Sequence, residues 1–123
     1  MKDLDLFMKW EYVSELDIKL YISGSDFIKS QPVTAQDMNV LISDWWTKCR
    51  NLYCVIDLKD ISILELDILG VIRLIQDLAE LNKDITMLKS IKFINYNFLM
   101  KWIYRGVVSM VIPSDVREII SFD

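Results

Sequence analysis

The chain of 123 residues has no histidine, two cysteines, two prolines and three glycines. Without histidine, the commonest general base and the commonest metal ligand are both missing. Ser-His-Asp and Cys-His mechanisms are therefore excluded within this chain. Cys49 and Cys54 are too few for a disulfide framework and, with no histidine to join them, poor material for a structural zinc site. No loop has the carboxylate spacing of a metal site, so neither a metal nor a cofactor is expected. The glycines stand apart at 24, 70 and 106, so no glycine-rich phosphate loop exists. Lys and Arg never cluster beyond a pair, and the formal net charge is -4. Nucleic-acid binding normally needs a basic stripe and is not expected. The longest strictly apolar runs are too short to span a bilayer, so no direct membrane insertion is expected. The start of the chain shows no cationic leader with an apolar core and cleavage site. The expectation is a cytoplasmic protein with both cysteines reduced.

What is present is a large apolar fraction, 53%. It is enough for one domain, 1–123, with a core that needs no staples. Along Asp5 to Val13, Leu6, Met8, Trp10 and Tyr12 alternate with Lys9 and Glu11. Ser14-Glu15 reads as a turn. Leu16, Ile18, Leu20 and Ile22 then alternate with Asp17, Lys19, Tyr21 and Ser23, which means a half-buried strand. The two segments are expected to form a hairpin that ends at Gly24-Ser25-Asp26. Thr34 opens a helix through a capping box with Asp37. Its face is Met38, Leu41, Ile42, Trp45 and Cys49, with Trp46 beside it. One of the adjacent rings Trp45 and Trp46 is a candidate mark of a homodimer or partner surface; the plainer reading makes both edges of a wide core stripe.

Tyr53 to Leu58 lacks a polar alternate until Asp57, which fits a central strand covered on both faces. Lys59-Asp60 turns the chain. The clearest helix follows: Arg73, Gln76, Asp77, Glu80 and Lys83 are polar at spacings of three and four. Ile68, Val71, Ile72, Leu74, Ile75, Leu78 and Ala79 fill its other side. Gly70 within it is read as a point of close packing rather than a ligand contact. Ile85 to Leu88 reads as a strand, and Asn95 to Tyr104 as a helix with Phe98, Leu99, Trp102 and Ile103 inward. Gly106 stands where a helix C-terminal cap belongs. Val107 to Ile112 reads as a last strand, and Ser114 caps a short final helix. The order is ββαβαβαβα. The fold class is α/β: a mixed sheet of about five strands with an N-terminal hairpin and four helices, parallel after the hairpin.

The stretch Asp57 to Ile72 resembles the STAS domain family, whose best-known members are bacterial anti-sigma-factor antagonists. The family pattern is a strand ending in Asp-Leu-Ser, a small loop, then Asp-Ser-Ser-Gly-Leu-Gly-Val-Leu opening a helix. Asp57-Leu58-Lys59 stands for the first part. Glu65-Leu66-Asp67-Ile68-Leu69-Gly70-Val71-Ile72 stands for the second, with Ile61-Ser62-Ile63-Leu64 between them and no gap. Downstream, Met100 to Ile112 fits the family's helix, Leu-x-x-x-Gly pattern and short strand, with Gly106 as the glycine.

The resemblance implies a STAS-like fold and a non-enzymatic regulatory module. In switching members, a kinase phosphorylates a serine at the start of the central helix, and the unmodified form binds a partner there. That phosphosite-equivalent position is Asp67 here, with Glu65 at the preceding acid position and Leu66 at the first serine position. Asp67 is then either a favourable acid at a helix start or a permanent partial mimic of the modified state. Ser62 is an alternative hydroxyl. The implied partner-binding residues are Asp60, Ser62, Glu65, Leu66, Asp67 and Ile68, with the Gly24 to Ile28 segment beside them. The implied partner is a kinase-like anti-sigma factor or another regulator. A second expectation is a soluble STAS subunit of a membrane transporter ATPase complex, because such members often lack the switching serine. A third, independent of the resemblance, is a small-ligand binder or carboxylate-dependent enzyme using Asp57, Asp60, Glu65 and Asp67; its plain counterpart is a solvated acidic loop.

Overall fold

The computed structural model describes residues 7–29, 51–61, 69–76 and 88–122. In chain order these form β1 (Met8–Tyr12), β2 (Asp17–Ser23), α1 (Gly24–Lys29), β3 (Asn51–Asp57) and a helix α2 over 69–76. They continue with β4 (Leu88–Ile94), α3 (Phe98–Val111), α4 (Ser114–Arg117) and β5 (Ile120–Phe122). The fold class is α/β: a five-stranded mixed sheet, an N-terminal hairpin and, among the described residues, four helices.

The hairpin forms because β2 has period two. Ile18, Leu20 and Ile22 are fully buried, while Lys19 is exposed. Burying each such side chain favours folding by about 1.5–3 kcal/mol. The antiparallel register runs from Met8 opposite Ile22 to Tyr12 opposite Ile18. Its turn is tied by the Val13 N–H to the Asp17 carbonyl at 2.9 Å and by Ser14 Oγ to Asp17 Oδ2 at 2.8 Å. Of the expected inward row on β1, Met8 is buried, but Trp10 and Tyr12 are 44% and 48% exposed. β1 is an edge strand, and the two rings pack edge to face on each other at 5.3 Å. Leu16 stands exposed in the turn rather than in the strand.

After the hairpin, β2, β3, β4 and β5 pair in parallel, and the sheet order is β1-β2-β3-β4-β5. Right-handed crossovers that step in one direction put their helices on one side of the sheet, and the described helices α2 and α3 pack together in one cluster there. The core lies on that side: Cys54, Ile56, Ile91 and Phe93 are fully buried. They form one cluster with Val71, Ile72, Leu74 and Ile75 of α2 and Met100, Tyr104 and Val108 of α3. The opposite face is half-open, so the expectation that Tyr53 to Leu58 is covered on both sides is corrected. Tyr53 is 38% exposed and Val55 half-buried, because the described helices α2 and α3 pack on the side of Cys54 and Ile56.

The second half of the chain differs most from its sequence reading. β4 continues from Leu88 to Ile94, well beyond the expected end, while 85–87 lie outside the described residues. α3 starts three residues later than expected and runs to Val111, taking in most of the stretch Val107 to Ile112 that reads as a strand. Asn97 caps it, its side chain accepting the Met100 N–H at 2.8 Å. Gly106 is an interior helical residue and not a cap. The inward stripe is Met100, Tyr104 and Val108, at i, i+4 and i+8, with Ile103 and Val107 packed beside it. Phe98, Leu99 and Trp102 therefore point outward, contrary to expectation. Tyr104 meets Phe93 of β4 at 5.6 Å, and this long-range contact sets the rotation of the helix. Pro113 ends the run. It holds the cap position of α4, for which Ser114 was expected, and makes no side-chain cap bond. The fifth strand is Ile120–Phe122, with Phe122 stacked on Phe93 at 5.0 Å. The helix expected from Thr34 to Cys49, with Trp45 and Trp46, lies outside the described residues.

Candidate functional site

The C-terminal ends of three parallel strands meet at Asp57. In register, Ser23 of β2, Asp57 of β3 and Ile94 of β4 stand side by side. Each strand ends there in a different way. β2 passes directly into α1, whose first turn is held by Ser23 Oγ accepting the Asp26 N–H at 3.4 Å. This corrects the reading of Gly24 to Asp26 as a simple stop to the hairpin. β3 enters the Lys59-Asp60 turn, closed by the Ile61 N–H on the Leu58 carbonyl at 3.1 Å. β4 turns at Asn95.

Asp57 joins these ends. It is the buried charged residue of the described core, 9% exposed. Oδ1 accepts the Lys59 N–H at 2.8 Å and Asn95 Nδ2 at 3.0 Å, and Oδ2 accepts the Tyr21 hydroxyl. Burial by itself raises the pKa of the Asp57 carboxyl. The Tyr21, Lys59 and Asn95 hydrogen bonds, with the nearby Lys59 charge, outweigh that and hold it below the usual carboxylate value. The same bond pushes the Tyr21 phenol up to about 12, burial and the Asp57 charge adding to it. Asp57 is thus an ionised acceptor whose oxygens are both engaged. Its arrangement suits holding the loop rather than moving protons.

Two residues of the site have left-handed backbone: Asp60 with φ 65° and Asn95 with φ 57°. Asp and Asn tolerate that region better than other side-chain-bearing residues. Gly24 is needed for another reason: a Cβ there would lie 2.9 Å from the Asp57 carbonyl oxygen and 3.3 Å from Ile61 Cδ1. The absence of a side chain lets α1 sit directly on the end of β3. Asp60 and Ile61 then share with Ser25, Ile28 and Lys29 a small concavity of about 200 Å³. Gly70 of α2 faces Ile28, and a Cβ there would lie at 3.4 Å, an ordinary contact. The close-packing reading of Gly70 therefore holds only loosely.

Of the residues singled out by sequence, Asp60 lies exposed at this site, and the Gly24 to Ile28 segment lies against it. Ser62, Glu65, Leu66, Asp67 and Ile68 are outside the described residues. Sequence reading missed Tyr21 and Asn95. Tyr21 had one signal, an aromatic ring on the polar row of a strand; Asn95 had another, an Asn just after a β run, where left-handed turns are common. Among the described residues no group of three or more Cys, Asp or Glu could hold a metal ion. No described helix is long and apolar enough to cross a membrane. Neither a protein-family model nor a characterised protein matches the chain's sequence.

Proposed function

We propose that the chain is a non-enzymatic regulatory module of STAS type that acts in the cytoplasm and binds another protein. Its docking surface is the loop after β3 and the start of the following helix, with α1 beside them. The observation that carries this reading is the engagement of Asp57. Three hydrogen bonds from three chain segments use its carboxylate to fix a turn, and that turn presents Asp60 outward next to α1. A pre-set loop loses little freedom on binding, which favours recognition of a partner. The same engagement counts against the carboxylate-enzyme reading, since a catalytic acid or base needs a free oxygen directed at a substrate.

Within this reading Asp67 stands at the phosphoserine position, so the module is held in one signalling state and its partner is a kinase-like anti-sigma factor or a related regulator. Affinity capture from the native cell tests it, with wild type beside Asp60→Lys and Asp67→Lys. Loss of one soluble regulatory protein from both variants, at unchanged urea midpoint, is the expected result. Equal capture by all three refutes the surface. Recovery of a membrane ATPase instead moves the assignment to the transporter-subunit reading.

A further inference from the structure

The side of α3 that faces away from the core is apolar at its centre. Phe98 is 76% exposed, Trp102 57%, Leu99 50% and Met110 83%. Phe98 and Trp102, one turn apart, pack edge to face at 6.0 Å. Single exposed apolar side chains need no explanation, but several on one 14-residue helix form a surface. Beside this ridge Lys101, Arg105 and Ser109 follow one another at i, i+4 and i+8. They form one wall of a groove of about 430 Å³, whose other side carries Arg117 and Ser121, with Phe122 among its apolar lining. Arg117 Nη1 donates to the Ser109 carbonyl at 3.0 Å, which fixes the guanidinium in place. α3 has no Asp or Glu, and among the described residues no carboxylate lines the groove. Asp115 and Glu118, close in sequence to Arg117, are not part of its lining. On a chain of net charge -4, three cations converge at one place, next to the exposed aromatic rings.

We propose that this face of α3 docks on a membrane surface bearing anionic phospholipids. Phe98, Leu99 and Trp102 enter the boundary between headgroups and acyl chains, and the groove of Lys101, Arg105 and Arg117 receives a headgroup phosphate. The pairing of chemistries selects this occupant. A lipid surface offers phosphate and hydrocarbon a few ångströms apart, the same order in which cations and aromatics lie across α3, and interfacial helices combine the two in this way. The exposed side is a convex helix ridge, which fits a deformable plane. Docking of this kind is peripheral and needs no spanning helix. The groove shares no residue with the concavity beside the β3 loop, and the proposal does not depend on the protein-binding reading.

The test is co-sedimentation of the full chain with vesicles of phosphatidylcholine containing about one-third phosphatidylserine, beside vesicles of phosphatidylcholine alone. Wild type, Trp102→Ser and the double variant Lys101→Glu/Arg105→Glu are compared. These side chains are largely solvent-facing, and urea midpoints confirm that each variant folds. Wild type is expected to bind the anionic vesicles about tenfold or more over the neutral ones, with binding falling as salt rises; each variant is expected to lose it. Absence of wild-type binding, or equal binding by the variants, overturns the proposal. So does stabilisation by inorganic phosphate without vesicle binding, which makes the groove a soluble-anion site. A dimer in sedimentation velocity that Trp102→Ser dissolves would also overturn it, since a second copy then covers the ridge.

Discussion

Replacing the three glycines one at a time with alanine gives three different outcomes, each fixed by what a Cβ would meet. Gly106 lies inside α3 with open space within 4 Å of the added atom. Alanine there restricts the unfolded chain and improves helix propensity without a steric cost. The gain is about 0.5–1 kcal/mol, or a melting temperature higher by about 2–5 °C for a domain of this size. Gly24 is the opposite case. Its Cβ would lie 2.9 Å from the Asp57 carbonyl oxygen, a backbone atom of the central strand. Either α1 or the end of β3 must shift, at an overpacking cost of about 1–3 kcal/mol that exceeds the propensity gain. Gly70 falls between them: with Ile28 Cγ1 at 3.4 Å, Gly70→Ala gains up to about 0.5 kcal/mol. Equilibrium urea denaturation of wild type and the three variants measures the series. The decisive member is Gly106→Ala. If Gly106 were a left-handed cap followed by a strand, as the STAS pattern expects, alanine would destabilise by about 1 kcal/mol. A loss of that size would refute a continuous α3 and with it the outward placement of Phe98 and Trp102.

Asp57→Asn keeps the shape but removes the charge. Because the folded pKa of Asp57 lies below its unfolded value, its stabilisation is complete above about pH 4 and disappears as pH falls through the folded pKa. The variant should be less stable than wild type at neutral pH, with the gap closing in acid, as read from urea midpoints across pH. Tyr21 runs the other way: its stabilisation is present below about pH 10 and is lost as pH rises through about 12. In Asp57→Asn, the Tyr21 tyrosinate step in an absorbance titration should move down. Asn95→Ala loses both the bond to Asp57 and a tolerant residue at φ 57°, costing about 1.5–3 kcal/mol. Asn95→Gly should recover the backbone part, about 1 kcal/mol, leaving the hydrogen bond as the difference. Cys54 is fully buried, and burial pushes its thiol up to about 12. The Cys54 peptide should therefore resist iodoacetamide in the native protein and label on unfolding, as mass spectrometry would show; rapid native labelling would contradict its place in β3.

The elements legible in the sequence are those whose signal is local. Ile18, Leu20 and Ile22 alternate with polar neighbours, and β2 can bury only one face. Val71, Ile72, Leu74 and Ile75 fall on one side of a helical period with Arg73 and Gln76 opposite, and the described part of α2 follows that split. From these and the order of segments the fold class could be read. The stretch from Phe98 to Ile112 could not be phased in the same way. It is apolar nearly throughout, so several rotations bury a comparable stripe, and a glycine in its middle suggested an end. Contact with Phe93 chose Met100, Tyr104 and Val108 as the inward row and left the aromatic ridge outside. The partners of Asp57 were hidden for a related reason. Tyr21 and Asn95 lie 36 and 38 residues away along the chain, and only the parallel pairing of β2, β3 and β4 brings them to one carboxylate. Periodicity and local propensity come from neighbours in sequence and can be read there. Which face of an ambiguous helix turns inward, and which distant polar groups satisfy a buried charge, depend on neighbours in space, and the tertiary structure alone supplies those.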